Sequence, residues 1–317
     1  MKKKLLITGG SGFIGSHLVR MGLKNNFKVL NLDKLTYSGN KIKIKNKDYS
    51  FLKIDITNEK KVFNALKNFK PNFIINCAAE SHVDNSILEP KIFFKSNVTG
   101  TLNILIQILK LKLKCRFLQI STDEVFGSLR MGEKKFNENS NYFPKSPYSA
   151  SKASSDHIVR SFGNTYGIDY IITNCSNNYG PMQHKEKLIP KVIDCCVKRQ
   201  KIPVYGKGNQ IRDWIYVEDH CEAVFKSLIF GKKGNTYLIG ANQEMKNIHL
   251  IKEICKQFDI ISGKNNSEKL IKFVKDRPGH DYRYAINSIK IKKELKWKPK
   301  FKFKDSLRKT IFYYLKT

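Results

Sequence analysis

The residues most able to do chemistry fall in two short stretches. In "FLQISTDEVFG" an apolar run ends at Thr122 and is followed by two adjacent carboxylates, Asp123 and Glu124. In "SPYSASK" a phenol and an amine, Tyr148 and Lys152, stand four residues apart, the spacing of neighbours on one helical face. Ser146 can cap that helix and Pro147 suits its first turn, so the helix begins where Tyr148 is needed. An ammonium beside a phenol favours the phenolate. Such a tyrosine can take a proton from a sugar hydroxyl. Alone, Y-x-x-x-K is common by chance and two acids can simply cap a turn, so both stretches depend on what surrounds them.

A glycine-rich loop supplies that context. "ITGGSGFIGSH" sets Gly9, Gly12 and Gly15 between an apolar strand and an amphipathic helix. That arrangement allows a tight turn, close approach of a pyrophosphate to the backbone, and binding at the helix N-terminus. Asp33 closes the next strand at the distance expected of a ribose-binding acid, which points to a dinucleotide. Asp33 would accept from the ribose hydroxyls and repel a 2′-phosphate, favouring NAD, with the neighbouring Lys34 as the one contrary feature. The positive nicotinamide ring would, like Lys152, favour the Tyr148 phenolate. Asp55 in "KIDI" either reaches the adenine or serves as a turn acid.

These groups need a scaffold, and the first half of the chain supplies one. Strand runs "KKLLITG", "FKVLNLD", "NFIINCAA", "RFLQIS" and "DYIITNCS" alternate with helical runs, the pattern of a parallel sheet covered on both faces. The expected class is α/β, a doubly wound Rossmann sheet with a smaller C-terminal substrate-binding domain. We expect residues 1–176 to form the nucleotide-binding part. Residues 177–317 mainly bind substrate, with about 213–240 returning to the main sheet. In such sheets ligands lie beyond the carboxyl ends of the strands, where Asp123 and Glu124 fall.

Composition narrows the function. The apolar share of 41% is that of a globular protein. The basic N-terminus lacks a signal-peptide cleavage site, and no run reaches the ~18 apolar residues of a membrane span, so a soluble cytoplasmic protein is expected. The cysteines have no C-x-x-C spacing, which favours buried thiols over a metal site or disulfides. A net charge of +32 raises the question of nucleic acid, but the lysines are spread along the chain without a basic, aromatic-laced cluster.

The chain resembles the extended short-chain dehydrogenase/reductase family, and within it the dTDP-glucose 4,6-dehydratases. The resemblance rests on "GGSGFIGSH", "LDKLTYSGN", "AAESHVDNS", "STDEVFG", "SPYSASKASSDH", "CSNNYGP", "EKLIPKVI", "VYGKGNQIRDWIYVEDH" and "DRPGHDYRYAI". It implies Glu124 as the base at C5, Asp123 as the acid at C6, Thr122 near O4, and Tyr148 with Lys152 for the oxidation at C4. It implies NAD contacts from Phe13, Ile14, Lys34, Leu35, Thr36, Ile56, Ala78, Ala79, Glu80, Ser96 and Asn178 besides the glycines, Asp33 and Asp55. For a nucleoside-diphosphate sugar it implies Ser81, Asn177, Lys187, Leu188, Pro203, Val204, Tyr205, Asn247 and His280, with Arg212 and Arg277 on the diphosphate. It also implies a homodimer through the helix of "NVTGTLNILIQILKLKL" and the Tyr148 helix. Two positions depart from the family: Phe126 stands where Tyr is usual and Asn85 where Arg is usual.

Other readings remain open at this level. The acid pair disfavours a 4-epimerase or a UDP-glucuronate decarboxylase of the same fold, but leaves a UDP-glucose 4,6-dehydratase, since one methyl on the base changes affinity little. A catalytically silent NAD-binding regulator is the non-enzymatic alternative. Arg212 paired to Asp213 and a loop-bound His280 are the plain structural alternatives for those residues.

Overall fold

The computed structural model describes residues 2–37, 39, 44–276 and 278–316. In chain order the first half runs β1 (Lys4–Thr8), α1 (Phe13–Lys24), β2 (Lys28–Asp33), β3 (Tyr49–Lys53), α2 (Glu59–Phe69), β4 (Phe73–Asn76), α3 (Val83–Leu88), α4 (Pro90–Phe93), a π-helical turn (Phe94–Thr99), α5 (Gly100–Lys110), β5 (Arg116–Thr122), a 3₁₀ turn (Asp123–Phe126), α6 (Pro147–Tyr166) and β6 (Asp169–Cys175). The second half continues with β7 (Asn177–Tyr179), α7 (Leu188–Lys198), β8 (Ile202–Tyr205), β9 (Ile211–Tyr216), α8 (Val217–Phe230), β10 (Asn235–Ile239), β11 (Glu244–Lys246), α9 (Asn247–Ser262), β12 (Ile271–Val274), α10 (Ile289–Leu295) and α11 (Phe303–Leu315).

Seven strands form one parallel sheet in the order β10-β6-β5-β4-β1-β2-β3. The strand order reverses between β1 and β4, and a crevice opens there at the strands' carboxyl ends. β1, β4 and β5 are buried almost throughout, as strands covered on both faces must be. One apolar core lies between the sheet, α1 and α8 and runs on into α7 and α9; the other lies under α2, α5 and α6.

Within the 213–240 stretch, β10 joins the main sheet beside β6 and α8 packs on α1. β9 instead pairs with β7 and β11 in a small three-stranded sheet. β8 and β12 pair in parallel as a third, two-stranded unit. The 129–145 loop runs along the C-terminal segment, with bridges from Leu129 to Arg283 and from Phe136 to Ile286.

The apolar helix of "NVTGTLNILIQILKLKL" differs from expectation. The helical run begins earlier, at Pro90, passes through the π turn, and stops at Lys110 before Lys112 turns left-handed at φ 49°. By length and composition alone an 18-residue window of the 90–110 run is apolar enough to cross a membrane, a test that a buried core helix also passes, and 56% of that window is buried inside the protein. Asn97, Asn103 and Gln107, all buried, find hydrogen-bond partners there, as expected of a core helix.

Candidate active site

The glycine loop joins β1 to α1 and is built by close approach. Gly9 has φ 68°, and a Cβ on it would lie 2.6 Å from the Ala78 backbone; on Gly15 a Cβ would meet the Gly9 carbonyl oxygen at 2.0 Å. α1 therefore starts hard against the loop. Its N-cap, Gly12, offers no side chain to the first-turn N–H groups, which leaves them for an anion in the cleft. Asp33, at the end of β2, accepts from the Ser11 and Leu35 backbones at 2.9 and 2.7 Å, and burial raises its pKa. Lys34 is spent on Glu80 at 3.0 Å and Ser96 at 2.9 Å. Asp55 accepts from the Thr57 N–H and hydroxyl, a turn acid that also lines the cleft.

The crevice brings together most of the residues singled out in the sequence. Its walls carry Gly9, Gly12, Phe13, Ile14 and Gly15, then Asp33, Lys34, Thr36, Asp55 and Ile56. Ala78, Ala79, Glu80, Ser81 and Ser96 follow, and Thr122, Asp123, Glu124, Tyr148, Lys152, Asn177, Asn178 and Lys187 close it. Leu35, left-handed at φ 57°, supports the turn without lining the wall.

At the tip of β5 the chain enters the 3₁₀ turn, and this turn separates two chemically distinct acids. Asp123 is 2% exposed, its Oδ1 is 3.3 Å from the Thr122 hydroxyl, and its Oδ2 has no hydrogen-bond partner among the described residues. Burial first, then Glu124 and Asp213, push its pKa well up, while Arg212 opposes them. Asp123 is thus the acid of the pair that holds its proton more tightly, beside a half-buried Glu124. Tyr148 and Lys152 stand one turn apart on α6, whose start is fixed by a reciprocal Ser146–Ser149 capping box.

Here the outcome differs from the expectation for the phenol. Lys152 donates to the Ile120 carbonyl at 2.6 Å, and burial lowers its pKa. Burial and then the Glu124 charge hold the Tyr148 phenol well above its ordinary range, with the Thr122 hydrogen bond opposing. The protein's own groups therefore keep the proton on Tyr148.

The second set of expected residues lies off this crevice, around β8, β9 and the loop after β12. Pro203, Val204 and Tyr205 form β8; Val204 is core, whereas Tyr205 is exposed, its hydroxyl 3.3 Å from Asp84 and its ring against His280. His280 is a paired loop histidine, 2.6 Å from Asp276. Leu188 and Asn247 open α7 and α9. The Asn247 Oδ1 is buried with no hydrogen-bond partner among the described residues. Arg212 is buried, donates to the Ile211, Tyr282 and Asp281 carbonyls and covers the Tyr284 ring at 4.1 Å, while Asp213 accepts from the Gln243 N–H. Arg277 lies outside the described residues. Of the two departures, Phe126 is core, stacked on Phe136 and edge-on to Tyr142, and Asn85 donates to the Tyr37 hydroxyl at 3.4 Å.

Some contributors were not apparent in the sequence. Asn97, carried by the π turn, accepts from the Glu80 N–H at 2.9 Å and donates to the Glu80 carbonyl at 3.0 Å and to Ser151 at 2.8 Å, pinning the Ala79–Ser81 wall to α6. Its signal was a polar residue inside an apolar run. His184 and Glu186, 3.5 Å apart, add polar groups at the mouth beside Tyr37.

Residues 6–310 match the model of a family described as GDP-mannose 4,6 dehydratase. A dTDP-glucose 4,6-dehydratase of Escherichia coli is 45% identical, the match covering 98% of this chain and 93% of that one. Its counterpart in Haemophilus influenzae is 44% identical over 98% and 97%. A dTDP-glucose 4,6-dehydratase from Streptomyces venezuelae, solved with NAD and TYD bound, superposes with a TM-score of 0.92 at 37% identity, covering 99% and 97% of the two chains. A Thermus thermophilus UDP-glucose 4-epimerase in complex with NAD reaches 0.90 at 26% identity, covering 98% and 99%. The backbone is thus shared with an epimerase, while the sequence follows the dehydratases: the chain belongs to the family of nucleotide-sugar 4,6-dehydratases.

Proposed function

We propose that the protein binds NAD in the crevice and removes water from a nucleoside-diphosphate hexose, dTDP-glucose, to give the 4-keto-6-deoxy sugar. The glycine loop and the uncapped start of α1 take the pyrophosphate, and Asp33 takes the adenosine ribose. Lys34, neutralised by Glu80, offers little to a 2′-phosphate, which favours NAD over NADP. NAD supplies a hydride acceptor for C4 and returns the same hydride to C6.

The chain's own groups move the protons. Tyr148 accepts the C4 hydroxyl proton as the C4 hydride leaves, once the cationic ring of the cofactor offsets the burial and the Glu124 charge that hold the phenol up. Thr122 steadies O4. The ketone acidifies the C5 hydrogen, which Glu124 removes; Asp123 gives its proton to the C6 hydroxyl, which departs as water. Hydride adds to C6 and a proton returns to C5, so the cofactor ends as it began. Arg212 and Arg277 hold the diphosphate, Lys187, Asn247 and His280 make further contacts to the substrate, and the β8 segment flanks the base.

One observation carries this reading: adjacent acids at a strand tip, one wholly buried with its pKa pushed up by burial, the other half-buried. An epimerase, which only moves hydride at C4, has no use for that pair. Incubating the protein with dTDP-glucose and UDP-glucose in parallel, and following the alkaline absorbance of a 4-ketosugar, tests it. Product from dTDP-glucose supports the reading, faster turnover of UDP-glucose moves the substrate to the uracil nucleotide, and no product from either refutes it in favour of an NAD-binding regulator.

The protein acts as a homodimer in the cytoplasm. Ile87, Leu88, Ile92 and Phe94 expose apolar surface along α3, α4 and the π turn, next to α5 and α6. Six of the seven cysteines are buried and all are free, which suits a reducing compartment. Sedimentation as a monomer at micromolar concentration would contradict the dimer.

A further inference from the structure

Tyr148 and Lys152 continue on α6 into a third polar residue, Asp156. Four-residue steps keep all three near one helical face, each about 6 Å further along the axis. Asp156 is 0% exposed, and a wholly buried carboxylate needs a reason.

Its surroundings identify its charge state. The Ser121 hydroxyl, on β5, donates to Oδ2 at 2.6 Å, and the Tyr142 hydroxyl, from the loop before α6, donates to the same oxygen at 2.9 Å. Tyr142 in turn accepts from Arg160 at 3.0 Å, so its own proton is directed at Asp156. Two hydroxyl donors converge on Oδ2, the arrangement a carboxylate accepts, while Oδ1 has no hydrogen-bond partner among the described residues. The site suits an anion.

What that anion faces is Lys152. The ammonium is 5% exposed and is held by the Ile120 carbonyl, which orients it without neutralising it. The Cys77 and Cys175 thiols also face Lys152, from beyond β4 and from β6, and burial keeps both neutral. Burial is the largest influence on both groups, raising the Asp156 pKa and lowering that of Lys152; against it, Asp156 is the first influence holding the lysine's proton and Lys152 the first favouring the Asp156 charge.

We propose that Asp156 is a positioning residue for the oxidation step: a buried carboxylate, one helical turn beyond Lys152, that keeps the lysine charged and so keeps the Tyr148 phenolate accessible. The inference rests on the Tyr148 and Lys152 roles given above.

The test is the pH dependence of the first hydride transfer, followed as reduced-nicotinamide absorbance in single turnovers of the NAD-loaded enzyme with dTDP-glucose. At an effective dielectric constant of about 20, a charge one helical turn away is worth roughly one to two pH units. In Asp156→Asn the alkaline limb should move down by about that much, so the rate above the limb falls roughly 10- to 100-fold, far more than the rate below it. Asp156→Glu should restore the limb. Should Asp156→Asn fail to fold, Ser121→Ala and Tyr142→Phe each remove one donor and should produce smaller shifts in the same direction. An unmoved limb in folded variants, with the rate reduced equally at every pH, overturns the proposal. A Lys152→Met enzyme that still oxidises the sugar at the normal rate would instead overturn the Tyr148 and Lys152 reading itself.

Discussion

Replacing Asp123 by Asn separates the chemistry of the buried acid from its cost to the fold. Asn keeps the shape and removes the proton. General acid catalysis is worth about 10²- to 10⁴-fold, so elimination should slow by that factor, or about 3 to 5 kcal/mol of barrier. The preceding oxidation should change by less than about tenfold, a barrier difference below about 1.4 kcal/mol, and reduced nicotinamide should accumulate in a stopped-flow trace. The same change should stabilise the fold. Burial raises the Asp123 pKa in the folded state, so the stability it contributes is complete below the unfolded value near 4 and is lost as pH rises toward the folded value. Each unit of difference costs about 1.4 kcal/mol, and each kcal/mol is worth roughly 2 °C in a chain this long. The melting temperature of Asp123→Asn should therefore match the parent near pH 4, pull ahead as pH rises, and level off once the folded pKa is passed. Equal loss of oxidation and elimination, or a variant less stable than the parent at neutral pH, would refute both the acid role and the protonated state.

Three other outcomes follow from named contacts. Glu124→Gln should abolish exchange of the C5 hydrogen with deuterated solvent, read by NMR, while reduced nicotinamide still forms; retained exchange would place the base elsewhere. Gly15→Ala forces a methyl to 2.0 Å from the Gly9 carbonyl, so α1 must back away. NAD affinity measured by calorimetry should fall at least about tenfold, or ~1.4 kcal/mol. His220 is fully buried with neither ring nitrogen hydrogen-bonded among the described residues, and burial lowers its pKa from 6.5 to about 3. Its depressed pKa means that stability is intact above pH 6.5 and is lost as pH falls toward about 3, a loss of about 2 kcal/mol by about pH 5. His220→Leu should melt later than the parent in mild acid, and a parallel pH dependence in the two proteins would refute this.

What the sequence made legible was whatever depends on near neighbours. The glycine loop, Asp33, and the start of α6 at Ser146 and Pro147 are set by contacts within a few residues, and spacing alone found them. The acid pair was readable because a strand's end can be seen in the sequence. Asp156 and Asn97 were not, because each matters through partners far along the chain: Ser121 and Tyr142 for one, Glu80 and Ser151 for the other. The Tyr148 phenol was expected to fall and instead rises, since the sequence reveals which charges are present but not that burial and then Glu124 dominate at the phenol, with the Thr122 hydrogen bond opposing. The π turn left no mark in the hydropathy pattern, nor did β9's departure into a small sheet of its own.

The main sheet ends at one edge on β10, residues 235–239, which pairs with β6 only after some sixty intervening residues. During synthesis, at about 5–20 residues per second, a nascent chain carrying the complete glycine loop and both acids still presents β6 as a bare strand edge for several seconds. Asp219 also waits for the backbone of Lys300 and Phe301, and Tyr179 for Ser306. Slow translation across the middle third prolongs the interval in which that edge can recruit a neighbouring strand and aggregate.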